Sequence, residues 1–306
     1  MAVRIEAKKI SFCFKSLKKI VSAKLNDMKK HYLIAIKAAL KAGESIKKIY
    51  HSDYIIESKE DHSPLTTADK ESHQIIEKHL KGLGYPILSE EGKKINYNVR
   101  KGWDKFWIVD PLDGTKEFIK KNGEFTVNIA WVENNKSQFG VIYAPILDVL
   151  YYGILEEGAF RIENASEKLS NINSENLLLI SESLPITNNR NSLSIVASRS
   201  HGSEETERFI EFAKSCNKKV GIVSRGSSLK LCLIAEGTAD VYPRFGLTCE
   251  WDIAAGHAII NAAGGKVLNA NDLQTELAYN KIDLLNPYFI AIANMSQQHL
   301  INEYLE

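Results

Sequence analysis

Between Pro86 and Ile154 the chain repeats one pattern: a short apolar run, then a break made by glycine, proline or a polar residue. The runs are Pro86-Ile-Leu-Ser, Phe106-Trp-Ile-Val, Thr126-Val-Asn-Ile-Ala-Trp-Val, Gly140-Val-Ile-Tyr and Leu150-Tyr-Tyr-Gly-Ile. Runs of this length, rich in β-branched and aromatic residues, read as strands of one sheet. A sheet must cover its apolar faces, and the flanking segments have helical spacing. From about Lys29 to Tyr50, Leu33, Ile36, Leu40, Ile46 and Ile49 recur on one helical face. A second helix is expected after Pro64, where Thr66 and Asp69 match a capping box, running through Ile75, Ile76 and Leu80 to Gly82.

Beyond residue 192 the alternation continues. Extended segments are expected at 193–197, before Ser224 and at 239–244, and helices at about 204–214, 228–236 and 253–263, the last stopped by Gly264 and Gly265. Strands alternating with helices imply an α/β layered fold. The Asn- and Ser-rich stretch 164–192 reads as the boundary between an N-terminal lobe, 28–180, and a C-terminal lobe, 181–306.

Composition narrows the function classes. With 44% hydrophobic and 25% charged residues the chain is an ordinary globular one, and a formal net charge of +1 gives no global field for nucleic acid. Four scattered cysteines without a C-x-x-C pair argue against zinc or a disulfide framework and fit a reducing, cytoplasmic location. No apolar run approaches the roughly 20 residues of a membrane span. Residues 1–27 carry seven Lys/Arg against Glu6 and Asp27. Such a basic segment can touch the inner face of the cell membrane peripherally; the reading favoured here is a non-native or loosely held extension upstream of Met28.

The chemistry is concentrated in Trp107-Ile-Val-Asp-Pro-Leu-Asp-Gly-Thr. A strand ends in Asp110, Pro111 fixes the backbone, and Asp113 returns three residues later beside Gly114. Two carboxylates on one turn, with the Leu112 carbonyl between them, suit a hard cation such as Mg²⁺. A polar surface turn explains the same residues equally well. Glu90 and Glu91 follow another strand and read alone as a solvated turn, while Asp252 and Asp69 read alone as helix caps.

Taken in order, these residues resemble the magnesium-dependent, lithium-sensitive phosphatase superfamily that includes inositol monophosphatases and fructose bisphosphatases. The shared pattern is an E-E pair, here Glu90-Glu91, then D-P-x-D-G-T, here Asp110 to Thr115, then W-D before a Gly-containing helix, here Trp251-Asp252-Ile-Ala-Ala-Gly. Three further segments are similar to the 3′(2′),5′-bisphosphate nucleotidases of the bacterial CysQ type. They are Lys116 to Ala130, Gly226 to Gly237 and Ala239 to Gly246. The similarity begins near Met28 and is poor across 164–192.

The resemblance implies a two-lobed αβαβα sandwich and two or three Mg²⁺ per site. It implies Glu90, Asp110 and the Leu112 carbonyl as ligands of one ion, and Asp110, Asp113 and Asp252 as ligands of the other. Asp69 and Thr115, with Glu90, would be catalytic, the first two orienting or deprotonating water. The amides of Gly114 and Thr115, together with His201, Ser227, Lys230, Arg244 and Asp252, would contact substrate. The implied reaction converts adenosine 3′,5′-bisphosphate to AMP and phosphate, clearing a by-product of sulfate assimilation. The implied partner is a small nucleotide, with the protein a monomer or homodimer. The alternatives are an inositol or sugar phosphatase on the same scaffold, and a non-catalytic nucleotide-binding regulator. The presence of Asp69, Glu90, Asp110, Asp113 and Asp252 together speaks against the regulator.

Overall fold

In a computed structural model, residues 30–58, 64–170, 176–186, 192–197, 203–216 and 219–305 are described. The expectations for residues 1–27 and for His201 lie outside them.

The first helix occupies 30–50 and buries the small face Ala35, Ala38, Ala39 and Ala42 together with Ile36 and Ile46. A short hairpin pairs Ile56–Ser58 with Pro64–Thr66 and runs directly into the helix Thr67–Lys81. The expected capping box is present: the Thr66 hydroxyl accepts the Ala68 N–H, and the Asp69 carboxylate accepts the Thr66 N–H at 2.7 Å.

Seven strands form the first sheet in chain order. Ile87–Ser89 lies parallel to Lys105–Asp113, and an antiparallel meander follows through Thr126–Glu133, Lys136–Ala144, Val149–Ile154, Gly158–Glu163 and Glu182–Leu184. The last of these strands lies past residue 180, so the first sheet reaches beyond the boundary placed there from composition. The second sheet has five strands in the spatial order Val220–Val223, Leu193–Val196, Val241–Arg244, Phe289–Ile292, Lys266–Asn269.

Side-chain alternation separates the layers. Trp107, Val109, Ile129, Trp131 and Val141 point to the helices 30–50 and Thr67–Lys81. Phe106, Ile108, Ala130, Val132 and Ile142 point to the opposite face, where they meet the helices Leu229–Ala235 and Glu250–Ala262 and then the inner face of the second sheet. The outer face of the second sheet packs Ile195, Val241, Ile290 and Ile292 against Phe209, Ile210 and Ile301 of the helices Glu204–Cys216 and Gln298–Leu305. The order is therefore helix, sheet, helix, sheet, helix, as the resemblance implied. Each fully buried large side chain in these layers contributes on the order of 2–3 kcal/mol.

The central helix Glu250–Ala262 starts three residues earlier than its apolar run suggests. Cys249 is its N-cap and Asp252 occupies the third helical position, so Asp252 is the capping-box partner and not the cap itself. The helix is apolar almost all round because it is covered on both sides. It rides on sheet backbone: a Cβ on Gly140 would come within 2.1 Å of the Ala255 carbonyl oxygen, and one on Gly153 within 2.6 Å of Ile259 Cα. This close approach brings a C-terminal element, and Asp252 with it, to the end of the strand that carries Asp110.

Candidate active site

The strand Lys105–Asp113 keeps regular register with its neighbour up to the pair Asp110–Asn128 and resumes at Asp113–Thr126, with an irregularity between. That irregularity projects the turn out of the sheet. The Ser72 hydroxyl donates to the Pro111 carbonyl at 2.6 Å, tying the turn to the helix Thr67–Lys81, and the Leu112 N–H donates to Asp110 Oδ1 at 3.1 Å. Gly114 then takes φ +90°, a left-handed conformation that disfavours a side chain. A Cβ there would also lie 3.1 Å from Ser227 Cβ, so glycine lets the two walls close together. The short helix Thr115–Ile119 follows, its first amides having no acceptor within the helix.

Thr115 and Asp69, both expected at the catalytic centre, are hydrogen-bonded: Thr115 Oγ1 donates to Asp69 Oδ1 at 3.1 Å. The other carboxylate oxygen, Oδ2, accepts the Thr66 N–H at 2.7 Å and the Thr66 hydroxyl at 2.5 Å. Asp69 is thus buried, held in one orientation, and aimed at the turn.

Asp110 is 1% exposed. Burial pushes its carboxyl well above the usual carboxylate range, and the charges of Glu90, Asp113 and Asp252 push the same way, with a hydrogen bond to Glu90 adding to them. Asp252 is raised by burial and by Asp113 and Glu90, against the Cys249 N–H and Arg244. These acids therefore crowd one another in a low-dielectric place, an arrangement that a bound cation relieves. Among the described residues, no three His, Cys, Asp or Glu side chains stand ready as a complete cage. Mg²⁺ does not require one, since it is held by one or two carboxylates together with carbonyl, water and phosphate oxygens. Oxygen-only donors, mutual repulsion and the nearby Leu112 carbonyl fit Mg²⁺ on chemistry.

The second wall comes from residues 226–252. Ser227, at φ +54°, and Ser228 both donate hydroxyls to Asp113 Oδ2, at 2.7 and 2.6 Å. Asn128 Nδ2 donates to Ser228 Oγ at 2.8 Å, and Thr126 lies 2.6 Å from the Ser227 hydroxyl. Sequence reasoning missed Thr126, Asn128 and Ser228 as site residues. The signal was available in two polar side chains two residues apart in an otherwise apolar strand, hence on one face and opposite Asp110 and Asp113.

Lys230 is half-buried at the edge of the cleft. Its Nζ donates to the Ser227 carbonyl at 2.7 Å, and burial pulls its ammonium below the ordinary lysine range, Asp113 opposing and Arg244 reinforcing. Arg244 Nη2 donates to the Leu247 carbonyl at 3.2 Å, while its buried Nε has no partner. Between the walls lies a cleft of about 360 Å³. Asp113, Gly114, Ser227, Lys230, Arg244 and Asp252 all line it, with Leu231, Tyr242 and Ile253 as apolar lining. Asp69, Glu90 and Asp110 are not on its surface. A space of this size with few convergent polar groups suits a small ligand.

Acids (Asp113, Glu117, Glu124, Asp252) and cations (Lys120, Arg225, Lys230, Arg244) line the same cleft. Known proteins share this framework. The sequence profile described as the inositol monophosphatase family matches residues 27–306, and the chain belongs to that family. A protein named 3′(2′),5′-bisphosphate nucleotidase CysQ from Buchnera aphidicola is 42% identical over 261 residues, covering 83% of this chain and 91% of the relative. Its namesake from Escherichia coli K12 is 41% identical over 75% of this chain and 86% of that one. The crystal structure of CysQ from Bacteroides thetaiotaomicron superposes with a TM-score of 0.80 at 48% identity, covering 86% of this chain and 97% of that one. An inositol monophosphatase from Thermotoga maritima, 23% identical with a TM-score of 0.64, shares the fold.

Proposed function

We propose that this chain is a Mg²⁺-dependent, lithium-sensitive 3′(2′),5′-bisphosphate nucleotidase that converts adenosine 3′,5′-bisphosphate to AMP and phosphate. The observation that carries the reading is the single cleft on which Asp113 and Asp252 face the same space as Lys230 and Arg244. A monophosphatase has no use for the two cations, whereas a bisphosphate presents a second phosphate for them. The relatives named for that activity support the same choice.

Glu90, Asp110 and the Leu112 carbonyl would hold one ion, and Asp110, Asp113 and Asp252 another. When bound, Mg²⁺ supplies acidification of water and neutralisation of charge on the leaving oxygen. The chain's own groups do the rest. Gly114 and Thr115 offer amides to the oxygens of the 3′-phosphate at the start of a helix. Thr115 donates its hydroxyl hydrogen to Asp69, so a lone pair of Thr115 Oγ1 would accept a hydrogen bond from the attacking water. The water gives up its proton through Thr115 to Asp69 as its oxygen bonds to phosphorus. The bond from phosphorus to the 3′ oxygen breaks, and that oxygen leaves with a proton from solvent. Lys230 and Arg244, with His201 and Ser227, hold the remaining phosphate and ribose. Leu231, Tyr242 and Ile253 shelter the apolar side of the nucleoside.

The three described cysteines are free, as suits a reducing compartment, and we place the reaction in the cytoplasm as clearance of a sulfate-assimilation by-product. No helix among the described residues is long and apolar enough to cross a membrane. The test is a comparison of adenosine 3′,5′-bisphosphate with adenosine 3′-monophosphate. Loss of the 5′-phosphate lowers kcat/KM by about 100-fold in the native chain and by much less in Lys230→Ala. Equal turnover of both compounds by the native chain contradicts the assignment.

A further inference from the structure

The helix that delivers Asp252 begins with a second acid, Glu250, which is fully buried and plays no part in the chemistry above. A buried carboxylate persists only where donors surround it. Glu250 Oε2 accepts the Asn280 N–H at 2.7 Å, and Oε1 accepts the Lys281 N–H at 2.9 Å and Lys281 Nζ at 2.6 Å. Arg100 grips the same segment from its other side. Its Nη1 donates to Asn280 Oδ1 at 2.9 Å and to the Lys281 carbonyl at 2.5 Å, and its Nη2 donates to the Ile282 carbonyl at 2.9 Å. Asn280 Nδ2 donates back to the Arg100 carbonyl at 2.7 Å. Arg100 is 2% exposed and Asn280 4%.

The segment held in this way is a strap across the start of the helix. The Glu250 N–H donates to the Leu284 carbonyl at 2.9 Å, the Asn286 N–H to the Thr248 carbonyl at 2.8 Å, and Asn286 Nδ2 to the Cys249 carbonyl at 2.7 Å. Cys249 is therefore fixed by the strap through its carbonyl. Its N–H is fixed by Asp252 Oδ2 at 2.8 Å. Any shift of the strap moves Cys249, and with it the carboxylate that caps it.

We infer that Glu250 and Arg100 form a positioning clamp that sets the orientation of the Asp252 carboxylate for the divalent cation. The inference rests on the reading of Asp252 as a Mg²⁺ ligand. Groups that orient a ligand control metal affinity as well as stability, and a merely structural pair controls only the second. The far part of the same helix provides the comparison. Glu276 accepts from His257 and Asn261 there, and His257 also meets the Tyr279 hydroxyl at 2.8 Å.

The experiment is calorimetric titration of Mg²⁺ alone, without substrate, into the full chain at neutral pH. The variants are Glu250→Gln, Arg100→Lys and Glu276→Gln, each with its Tm measured in parallel. Glu250→Gln weakens the dissociation constant about tenfold and Arg100→Lys about threefold, while Glu276→Gln lowers Tm and leaves Mg²⁺ affinity within about twofold of native. Arg100→Lys decides alone if Glu250→Gln does not fold. Native affinity in both clamp variants overturns the inference, as does an equal loss in Glu276→Gln. A native chain that binds no Mg²⁺ overturns the metal reading itself and the inference with it.

Discussion

Replacing Asp110 by Asn should change stability in opposite directions depending on whether Mg²⁺ is present. Asp110 is buried beside Glu90, Asp113 and Asp252, and its carboxyl is held well above the ordinary range. For an acid raised in this way, the folded state disfavours the charge, so the carboxylate destabilises the fold at every pH above its unfolded value near 3.9. Asparagine keeps an oxygen for the Leu112 N–H and removes the repulsion. Without metal the variant should be more stable by about 1–2 kcal/mol, from the scale of a relieved buried charge, or about 2–3 °C in Tm at this size. With Mg²⁺ at 100 times its dissociation constant the native chain gains about 2.7 kcal/mol. The variant, which lacks the carboxylate that would serve both proposed ions, gains little. The order of melting temperatures therefore reverses between EDTA and Mg²⁺, and phosphate release by Asp110→Asn stays near background in both. Calorimetric melts in the two buffers check this. A variant that melts below the native chain in EDTA, or gains as much from Mg²⁺, refutes the argument from crowded acids.

Other perturbations separate the parts of the site. Thr115→Val removes the hydroxyl that bonds Asp69 and should lower kcat by about 100-fold with KM little changed, read by steady-state kinetics. Gly114→Ala places a Cβ at φ +90° against Ser227 and should cost about 1–2 kcal/mol of stability as well as activity, read by denaturant melts. Arg244→Ala should raise KM for adenosine 3′,5′-bisphosphate about tenfold or more while leaving turnover of a monophosphate unchanged. Burial pushes the Glu276 carboxyl up, but hydrogen bonds from His257, Lys266 and Asn261 outweigh it and carry the group down to about 2. Its stabilisation is therefore present above the unfolded value near 4.3 and is lost as pH falls towards 2. Glu276→Gln should cost about 1 kcal/mol at pH 7 and nothing near pH 2, read from urea midpoints across pH.

Much of this architecture is legible in the sequence, for identifiable reasons. The strands from Ile87 to Ile154 announce themselves because both faces of the first sheet are covered, leaving runs such as Thr126–Glu133 almost uninterrupted in their apolarity. Thr66 and Asp69 mark a helix start by local chemistry alone. The strand Glu182–Leu184 is short and polar and exists only through pairing with Gly158–Glu163, so periodicity gives no hint of it. The strands Lys266–Asn269 and Phe289–Ile292 pair across a long excursion through the strap, which no local signal encodes. The start of Glu250–Ala262 was misplaced because its first turn contains Glu250 and Asp252, polar residues used for capping and for the strap. At the site, the acids are visible as residue types, whereas the two serines on Asp113 depend on contacts more than 100 residues apart in the chain.

The activity proposed for this chain is that of a metal-assisted phosphatase selective for a nucleoside bisphosphate. It is tested most directly by phosphate release from adenosine 3′,5′-bisphosphate, inositol monophosphate and fructose bisphosphate, each with Mg²⁺ and with or without Li⁺. The expected result is turnover that requires Mg²⁺, falls with Li⁺ and strongly favours the nucleotide. Preference for inositol monophosphate, or release from the nucleotide undiminished in EDTA, contradicts it.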